Sequence, residues 1–181
     1  MQYYKSIEMN NFDLIKQITL QYVIEKNHHI GKGGFRFINW EEYTLYCPQI
    51  LTAFSMYDLT PVKGFLLVTH TQRDADLHID YISDKWPMCR INMPVLNCEG
   101  SITEFYSGGK YVPHTTNNNG EFSFLKIEDF SSAIKVAEVE ILKPTVLRIQ
   151  EPHRVVPNLN TLPRITLSLK MNKDPVFLLD Q

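Results

Sequence analysis

Apolar and polar positions change period along this chain, and the change divides it into two kinds of element. From Asn10 to Asn27 the residues Phe12, Ile15, Ile18, Tyr22 and Val23 recur at the three- and four-residue spacing of one helix face, with Asn10 or Asn11 placed to cap it. A second helical pattern opens at Asn39-Trp40-Glu41-Glu42 and carries Tyr43, Tyr46, Ile50, Leu51 and Phe54 near one face, until Tyr57-Asp58-Leu59-Thr60-Pro61 stops it. Between them Gly31-Lys32-Gly33-Gly34 reads as a loop. It is not a phosphate loop, because no Gly-Lys followed by Ser or Thr opens a helix there. From Lys63 onward short stretches of strand character take over: Gly64 to Thr69, Asp76 to Tyr81, Cys89 to Val95, Ser101 to Tyr106, Arg164 to Lys170 and Val176 to Leu179. Val136 to Leu142 and Thr145 to Ile149, divided by Lys143-Pro144, read as a pair of strands lying side by side. Ser107 to Lys110 and Thr115 to Gly120 read as exposed loops, the second rich enough in Asn to be mobile or to cover a ligand.

Two helices followed by many short strands predict an α+β, mainly β chain, with the helices supporting one face of a sheet. At 181 residues the chain suits a single domain, with 1–60 as helical support and 61–181 as the strand-rich core. A jelly roll is favoured over other barrels because the stretches that carry the candidate ligands lie far apart in sequence and must meet in one cavity. With 44% of residues hydrophobic and 12% aromatic, the composition lies well above that of disordered chains. A net charge of −2 removes the electrostatic case for bulk nucleic-acid or acidic-membrane binding. Met1-Gln2-Tyr3-Tyr4-Lys5 lacks the pattern of an export signal and no apolar run approaches membrane-spanning length, so a soluble, cytoplasmic protein is expected. Cys47, Cys89 and Cys98 are odd in number and form no Cys-x-x-Cys pair. They predict inert thiols rather than a disulfide framework or a zinc site.

The candidate chemistry centres on Leu77-His78-Ile79-Asp80. On an extended strand His78 and Asp80 project to one side about 7 Å apart along the backbone, near enough to converge on one cation, while Leu77, Ile79 and Tyr81 point the other way. His153, after Pro152, is the candidate third ligand. Two neutral nitrogens and one charged oxygen form the facial triad of non-haem iron(II) sites, a donor set also acceptable to manganese, cobalt or zinc. Eleven residues on, Arg164, Thr166 and Ser168 alternate with Ile165, Leu167 and Leu169, placing a polar row inside an apolar strand. An arginine fork binds a carboxylate through two hydrogen bonds, and a neighbouring hydroxyl adds one more. Arg90, Asn92 and Pro94 share a face on the strand after the His-x-Asp turn, where Asn92 either orients the metal-binding end of a cosubstrate or packs in support of the ligands. Trp86 and Tyr106 are pocket walls or core aromatics. Asp76 reads as a turn residue or an acceptor for a ligand rather than a fourth ligand. His28, His29, His70 and His114 read as ordinary surface or hydrogen-bonded histidines.

The order His-x-Asp, a strand-rich interval, His153 and then Arg164 resembles the 2-oxoglutarate and iron(II)-dependent oxygenases. The segment from Trp86 to Gly100 is similar to the small phage and environmental members of that superfamily. The resemblance spans roughly Gly64 to Lys170 and rests on short motifs. It implies a double-stranded β-helix, the cupin-like jelly roll, with His78, Asp80 and His153 as iron(II) ligands. It further implies that Arg164 and Thr166 hold the distal carboxylate of 2-oxoglutarate, and that an unactivated C–H bond is hydroxylated with release of succinate and carbon dioxide. Two other readings stay open: a non-catalytic jelly-roll binding or structural module, and a cupin-like metalloprotein that does not use 2-oxoglutarate. The substrate, a small molecule or a peptide, has no recognition motif in the chain.

Overall fold

Period two prevails over most of the described chain. A computed structural model describes residues 1–30, 33–69, 76–80, 87–115, 123–156 and 163–180. Its strands are β1 (Tyr4–Ser6), β2 (Gly34–Phe37), β3 (Pro61–Thr69), β4 (His78–Ile79), β5 (Cys89–Leu96), β6 (Ile102–Ser107), β7 (Lys110–Thr115), β8 (Ser123–Asp129), β9 (Ile134–Glu140), β10 (Thr145–Arg148), β11 (His153–Val156) and β12 (Arg164–Met171). They form two antiparallel six-stranded sheets, ordered β1-β10-β5-β12-β3-β2 and β7-β8-β4-β11-β6-β9. The helices are α1 (Phe12–Glu25) and α2 (Trp40–Tyr46). The chain is therefore mainly β with few helices. Gly31, Lys32, His70, Tyr81, Trp86 and the loop positions 116–120 lie outside the described residues.

Helix α1 buries Ile15, Thr19, Tyr22 and Val23, close to the stripe its spacing predicts. Asn11 takes the cap position in a left-handed conformation (φ 57°), but its side chain makes no cap hydrogen bond. Asn39 does cap α2, its Oδ1 accepting from the Glu42 amide at 3.2 Å. The second helical pattern does not run unbroken to Phe54. Pro48 cannot supply the amide a continuing helix needs, and the chain goes on as two 3-10 turns, Pro48–Thr52 and Ser55–Tyr57. Ile50 and Phe54 are buried all the same.

Both helices cover one face of the first sheet, where Tyr22, Tyr43 and Phe54 join Leu66, Ile91, Met93, Ile165 and Leu167 in the main core. Contact there is close: a Cβ on Gly64 would lie 2.8 Å from Cζ3 of Trp40. Gly64→Ala should therefore destabilise the fold by roughly 1 to 3 kcal/mol, as overpacking does. Urea unfolding checks this, and an unchanged midpoint would mean that Trp40 yields freely.

Alternation sends the other residues of these strands to the opposite face. Arg90, Asn92, Phe65, Leu67, Arg164, Thr166 and Ser168 share it, with Ser168 opposite Asn92 and Thr166 opposite Pro94 in the ladder. That face looks onto the second sheet. At one end of the space between the sheets, Leu147 and Ile149 pack with Phe105, Tyr3, Tyr4 and Val139 into a second, smaller core. Toward the other end Leu67 and Thr69 are partly exposed.

Several expected elements differ. The strands on either side of Lys143-Pro144 do not pair with each other. β9 is the edge of the second sheet beside β6, whereas β10 lies between β1 and β5 in the first. The Pro144 carbonyl accepts from the Ile7 amide at 2.8 Å, so the chain crosses between sheets at this point. The stretch at Val176 to Leu179 is not a strand but a 3-10 turn over Pro175–Leu178, capped by Asp174 Oδ1, which accepts from the Val176 amide at 3.0 Å. The first 60 residues are not wholly helical support, because β1 and β2 form the two edges of the first sheet. A turn through Gly108 (φ 74°) and Gly109 (φ 89°) leads into β7, and β7 with β8 extends the second sheet over residues to which the sequence pattern assigned no strand. No helix among the described residues is long and apolar enough to cross a membrane.

Candidate metal centre

β4 and β11 are neighbours in the second sheet, and the ladder sets His153 directly opposite His78. Their rings lie 4.6 Å apart. Asp80 follows β4, its amide donating to the Ile149 carbonyl at 3.0 Å, and its Oδ1 lies 3.2 Å from Nε2 of His78. One ligand atom from each of His78, Asp80 and His153 falls within 4.8 Å of the other two. Adjacent ligands at about 2.1 Å from an octahedral ion sit about 3.0 Å apart, so a small inward movement brings the three onto one cation. His78 and Asp80 are partly exposed and His153 is buried, which leaves an approach for an ion.

The imidazoles are oriented through their second nitrogens. Nδ1 of His78 lies 2.6 Å from the Asp76 carbonyl and Nδ1 of His153 lies 2.8 Å from the Glu151 carbonyl. A carbonyl only accepts, so each neutral ring carries its proton on Nδ1 and presents the Nε2 lone pair to the metal position. Burial and the nearby charge of His78 push the pKa of His153 down to about 4, keeping it a neutral ligand. Burial opposes charge on His78 too, but the hydrogen bond and charge of Asp80 outweigh it and the pKa is raised. Asp80 is held at about 2 against the effect of burial by its hydrogen bond to His78 and by the charges of His78, His153 and Arg90.

A proton on His78 competes with the metal, which gives the pH dependence a sign. Affinity for a divalent ion should climb by up to about tenfold per pH unit while His78 is protonated and level off above its raised pKa. His153 and Asp80 have already lost their protons there. Competition titrations from about pH 5.5 to 8.5 measure this. A flat profile would remove His78 from the ligand set.

Across from the triad, the inner face of the first sheet carries buried polar atoms that have no hydrogen-bond partner among the described residues. Arg164 is 1% exposed, and among the described residues none of its three guanidinium nitrogens has a hydrogen-bond partner. Burial pushes its pKa down. Among the described residues Thr166 Oγ1 and Asn92 Oδ1 on the same face, and Thr103 Oγ1 on β6, are buried without partners as well. Thr103 stands on β6, on the same side of the strand as Phe105, whose ring is 6.1 Å from that of His153. Its alternation within Ser101 to Tyr106 was visible, but nothing local told which face would look inward. An uncompensated buried guanidinium costs several kcal/mol, so this arrangement is suited to an anion.

The remaining expected residues sort cleanly. Asp76 supplies its carbonyl to His78, while its carboxylate pairs with Lys126 at 2.8 Å. Tyr106 is no pocket wall: its hydroxyl donates to Glu104 at 2.6 Å and its ring packs on Phe130, on the far side of β6 from Phe105. His28 packs at a tilt against Tyr22, and His114 does the same against Phe124. The three cysteines are free and buried, and burial raises the Cys89 thiol to about 12.

No family model matches the chain, and no curated protein matches it. Solved structures do. The crystal structure of AviO1 from Streptomyces viridochromogenes Tue57 superposes with a TM-score of 0.52 at 11% identity, covering 96% of this chain and 90% of that one. A nickel complex of ThoJ, described as a non-heme monooxygenase, gives 0.51 at 13% identity over 94% of this chain and 73% of that one. At such identities the likeness establishes the fold they share.

Proposed function

We propose that the chain is an iron(II)- and 2-oxoglutarate-dependent oxygenase that hydroxylates an unactivated C–H bond, built on a double-stranded β-helix. The observation that carries the reading is the buried guanidinium of Arg164, without a hydrogen-bond partner among the described residues, on the face turned toward the sheet that holds His78, Asp80 and His153. A buried guanidinium calls for an anion, and the distal carboxylate of 2-oxoglutarate is one that matches its two-pronged geometry. The strand order supports the fold assignment: β3, β4, β5 and β6 alternate between the sheets, and so do β9, β10, β11 and β12. Affinity with the small phage and environmental members of the superfamily belongs to the same proposal.

His78, Asp80 and His153 would hold the metal, contributing two neutral nitrogens and a single negative charge. Iron(II) with 2-oxoglutarate, when bound, supplies the oxidation: one oxygen atom of O2 goes to the C–H bond and the other to the keto acid, which leaves as succinate and carbon dioxide. Arg164 would pair with the distal carboxylate, and the hydroxyls of Thr166 and Thr103, buried without partners among the described residues, would donate to it. Asn92, on the same inner face, would contact the rest of the cosubstrate. The packed end around Phe105, Leu147 and Ile149 keeps bulk water from that side, and the partly exposed Leu67 and Thr69 mark the side from which ligands enter.

Anaerobic titration with iron(II) and then 2-oxoglutarate tests this directly. We expect the charge-transfer absorption of a chelated keto acid, followed in air by iron-dependent formation of succinate. Metal binding without 2-oxoglutarate binding would leave a metal-holding β-sandwich of another activity.

A further inference from the structure

The cross-strand row that holds the triad does not end at His78. His153 stands opposite His78 and His78 opposite Lys126 of β8, and the register carried one step past Ile79 and Leu125 sets Phe124 level with Asp80. The Phe124 ring meets that of His78 nearly edge-on at 5.6 Å, and His114, opposite Phe124 on β7, packs on it at 5.1 Å. Val112 lies opposite Lys126, so Val112, His114, Phe124 and Lys126 share the face of the ligands. The two flanks of the triad differ. On the β6 side Phe105 is fully buried in the packed end, whereas on the β8 side Phe124 and Val112 are half-buried and His114 is exposed.

Strand order fixes what stands across from that flank. β9 and β6 pack with β1 and the end of β10 around Phe105, so at the opposite edges of two aligned six-stranded sheets β7 and β8 lie over β2 and β3. Leu67 and Thr69, partly exposed on the inner face of β3, form the facing wall. Phe124, Val112 and Leu67 make this cleft apolar. Lys126, the cation beside Phe124 on this wall, pairs with Asp76 at 2.8 Å. Arg90 belongs elsewhere, opposite Leu147 of the packed end. A charged group brought onto Phe124 would lose water without gaining a partner among these residues, whereas an apolar one gains by burial. Two strand spacings carry β4 to β7, so the surface is about 10 Å long, room for a ring and a short chain.

Resting on the functional reading above, we propose that the inner face of β7 and β8, centred on Phe124, is the substrate subsite, and that the substrate is a small amphipathic molecule. Its uncharged apolar end, the size of a ring, lies on Phe124 next to the metal. The polar end stays at the rim beside His114. Packing on Phe124 then decides which C–H bond faces the metal, since the same ring touches His78.

The test uses the full chain loaded with manganese(II), which this donor set accepts, and saturated with N-oxalylglycine, an unreactive analogue of 2-oxoglutarate. The probe is 3-phenylpropan-1-ol, followed by the manganese-induced relaxation of its proton resonances, with the zinc(II)-loaded chain as the diamagnetic blank. Such relaxation falls steeply with distance from the metal, so the ring protons should relax several times faster than the hydroxymethyl protons. Phe124→Ala should weaken probe binding at least about fivefold through the lost apolar contact, and Phe124→Leu should keep part of it. Both variants are read at saturating manganese, so a change in metal affinity through His78 does not enter. No manganese-dependent relaxation, faster relaxation of the hydroxymethyl end, or undiminished binding in Phe124→Ala would overturn the proposal. Should Phe124→Ala fail to fold, Val112→Asp sets a charge on the same wall away from the ligands and should abolish probe binding, and binding that survives it counts equally against the subsite. Repeating the wild-type measurement with manganese alone separates the two readings. Ring-first relaxation where N-oxalylglycine does not bind sinks the cosubstrate assignment and leaves the apolar subsite, while bound N-oxalylglycine without ring-first relaxation sinks the subsite alone.

Discussion

Asp80→Ala is expected to lower affinity for a divalent metal roughly 1000-fold, about 4 kcal/mol. Asp80 is the only anionic member of the triad, and its carboxylate stays charged throughout the working range because it is held at about 2. Removing it takes away a ligand atom and the one negative charge that offsets the ion, whereas changes to outer partners of metal ligands cost only about 10- to 100-fold. The substitution has a second effect. Without the hydrogen bond and charge of Asp80, nothing in the triad favours a proton on His78, so the pH dependence of the remaining weak binding should flatten. Asp80→Asn keeps the shape and removes the charge, and should bind metal nearly as weakly. Anaerobic competition against a chromophoric chelator measures both variants. Wild-type affinity in Asp80→Ala would show that the convergence of the three side chains is not a metal site.

Arg164→Met should leave metal binding intact and weaken 2-oxoglutarate by roughly 30- to 1000-fold, about 2 to 4 kcal/mol. Methionine cannot replace the charge-assisted, two-pronged pairing of a guanidinium with a carboxylate in a desolvated position, which is stronger than a neutral hydrogen bond. The same substitution should also stabilise the ligand-free chain. Arg164 is buried without a hydrogen-bond partner among the described residues, and replacing an uncompensated buried charge by an apolar side chain of similar length removes its desolvation cost. A variant that melts higher yet binds its cosubstrate worse is the signature of a residue kept for function. Thermal unfolding without ligands and anaerobic titration with iron(II) and then 2-oxoglutarate provide the two readouts. Undiminished 2-oxoglutarate affinity would make Arg164 an ordinary strand residue and favour a metalloprotein that does not use this cosubstrate.

The two variants differ in what fails first. In Asp80→Ala the metal goes first and the cosubstrate follows for want of an ion to chelate. In Arg164→Met the cosubstrate goes alone.

How far the site could be read without coordinates depended on how local each signal is. Alternation on one strand places His78 with Asp80 and Arg164 with Thr166, because side-chain direction in a strand is decided residue by residue. The helix stripe of Phe12 to Val23 was legible for the same reason. The second helix was overread because its apolar spacing survives the break at Pro48: Ile50 and Phe54 are buried from 3-10 turns as well as they would be from a helix. The pairing expected across Lys143-Pro144 failed differently. Strand character near a turn says that strands exist, but their partners are chosen by sheet-wide packing, and here the chain changes sheets between them.

By itself, then, the sequence determined the local periods, the mainly β character, and the identity and common facing of the side chains that make up each short motif. Tertiary structure alone decided that His153 lies opposite His78 on an adjacent strand and that Thr103 looks inward while Tyr106 does not. The physical reason is that alternation fixes relative facing within a strand and is silent on which face is interior. That choice is made when helices α1 and α2 bury Ile165 and Leu167 against the outer face of the first sheet, which turns Arg164, Thr166, Asn92 and Arg90 toward the other sheet and its histidines.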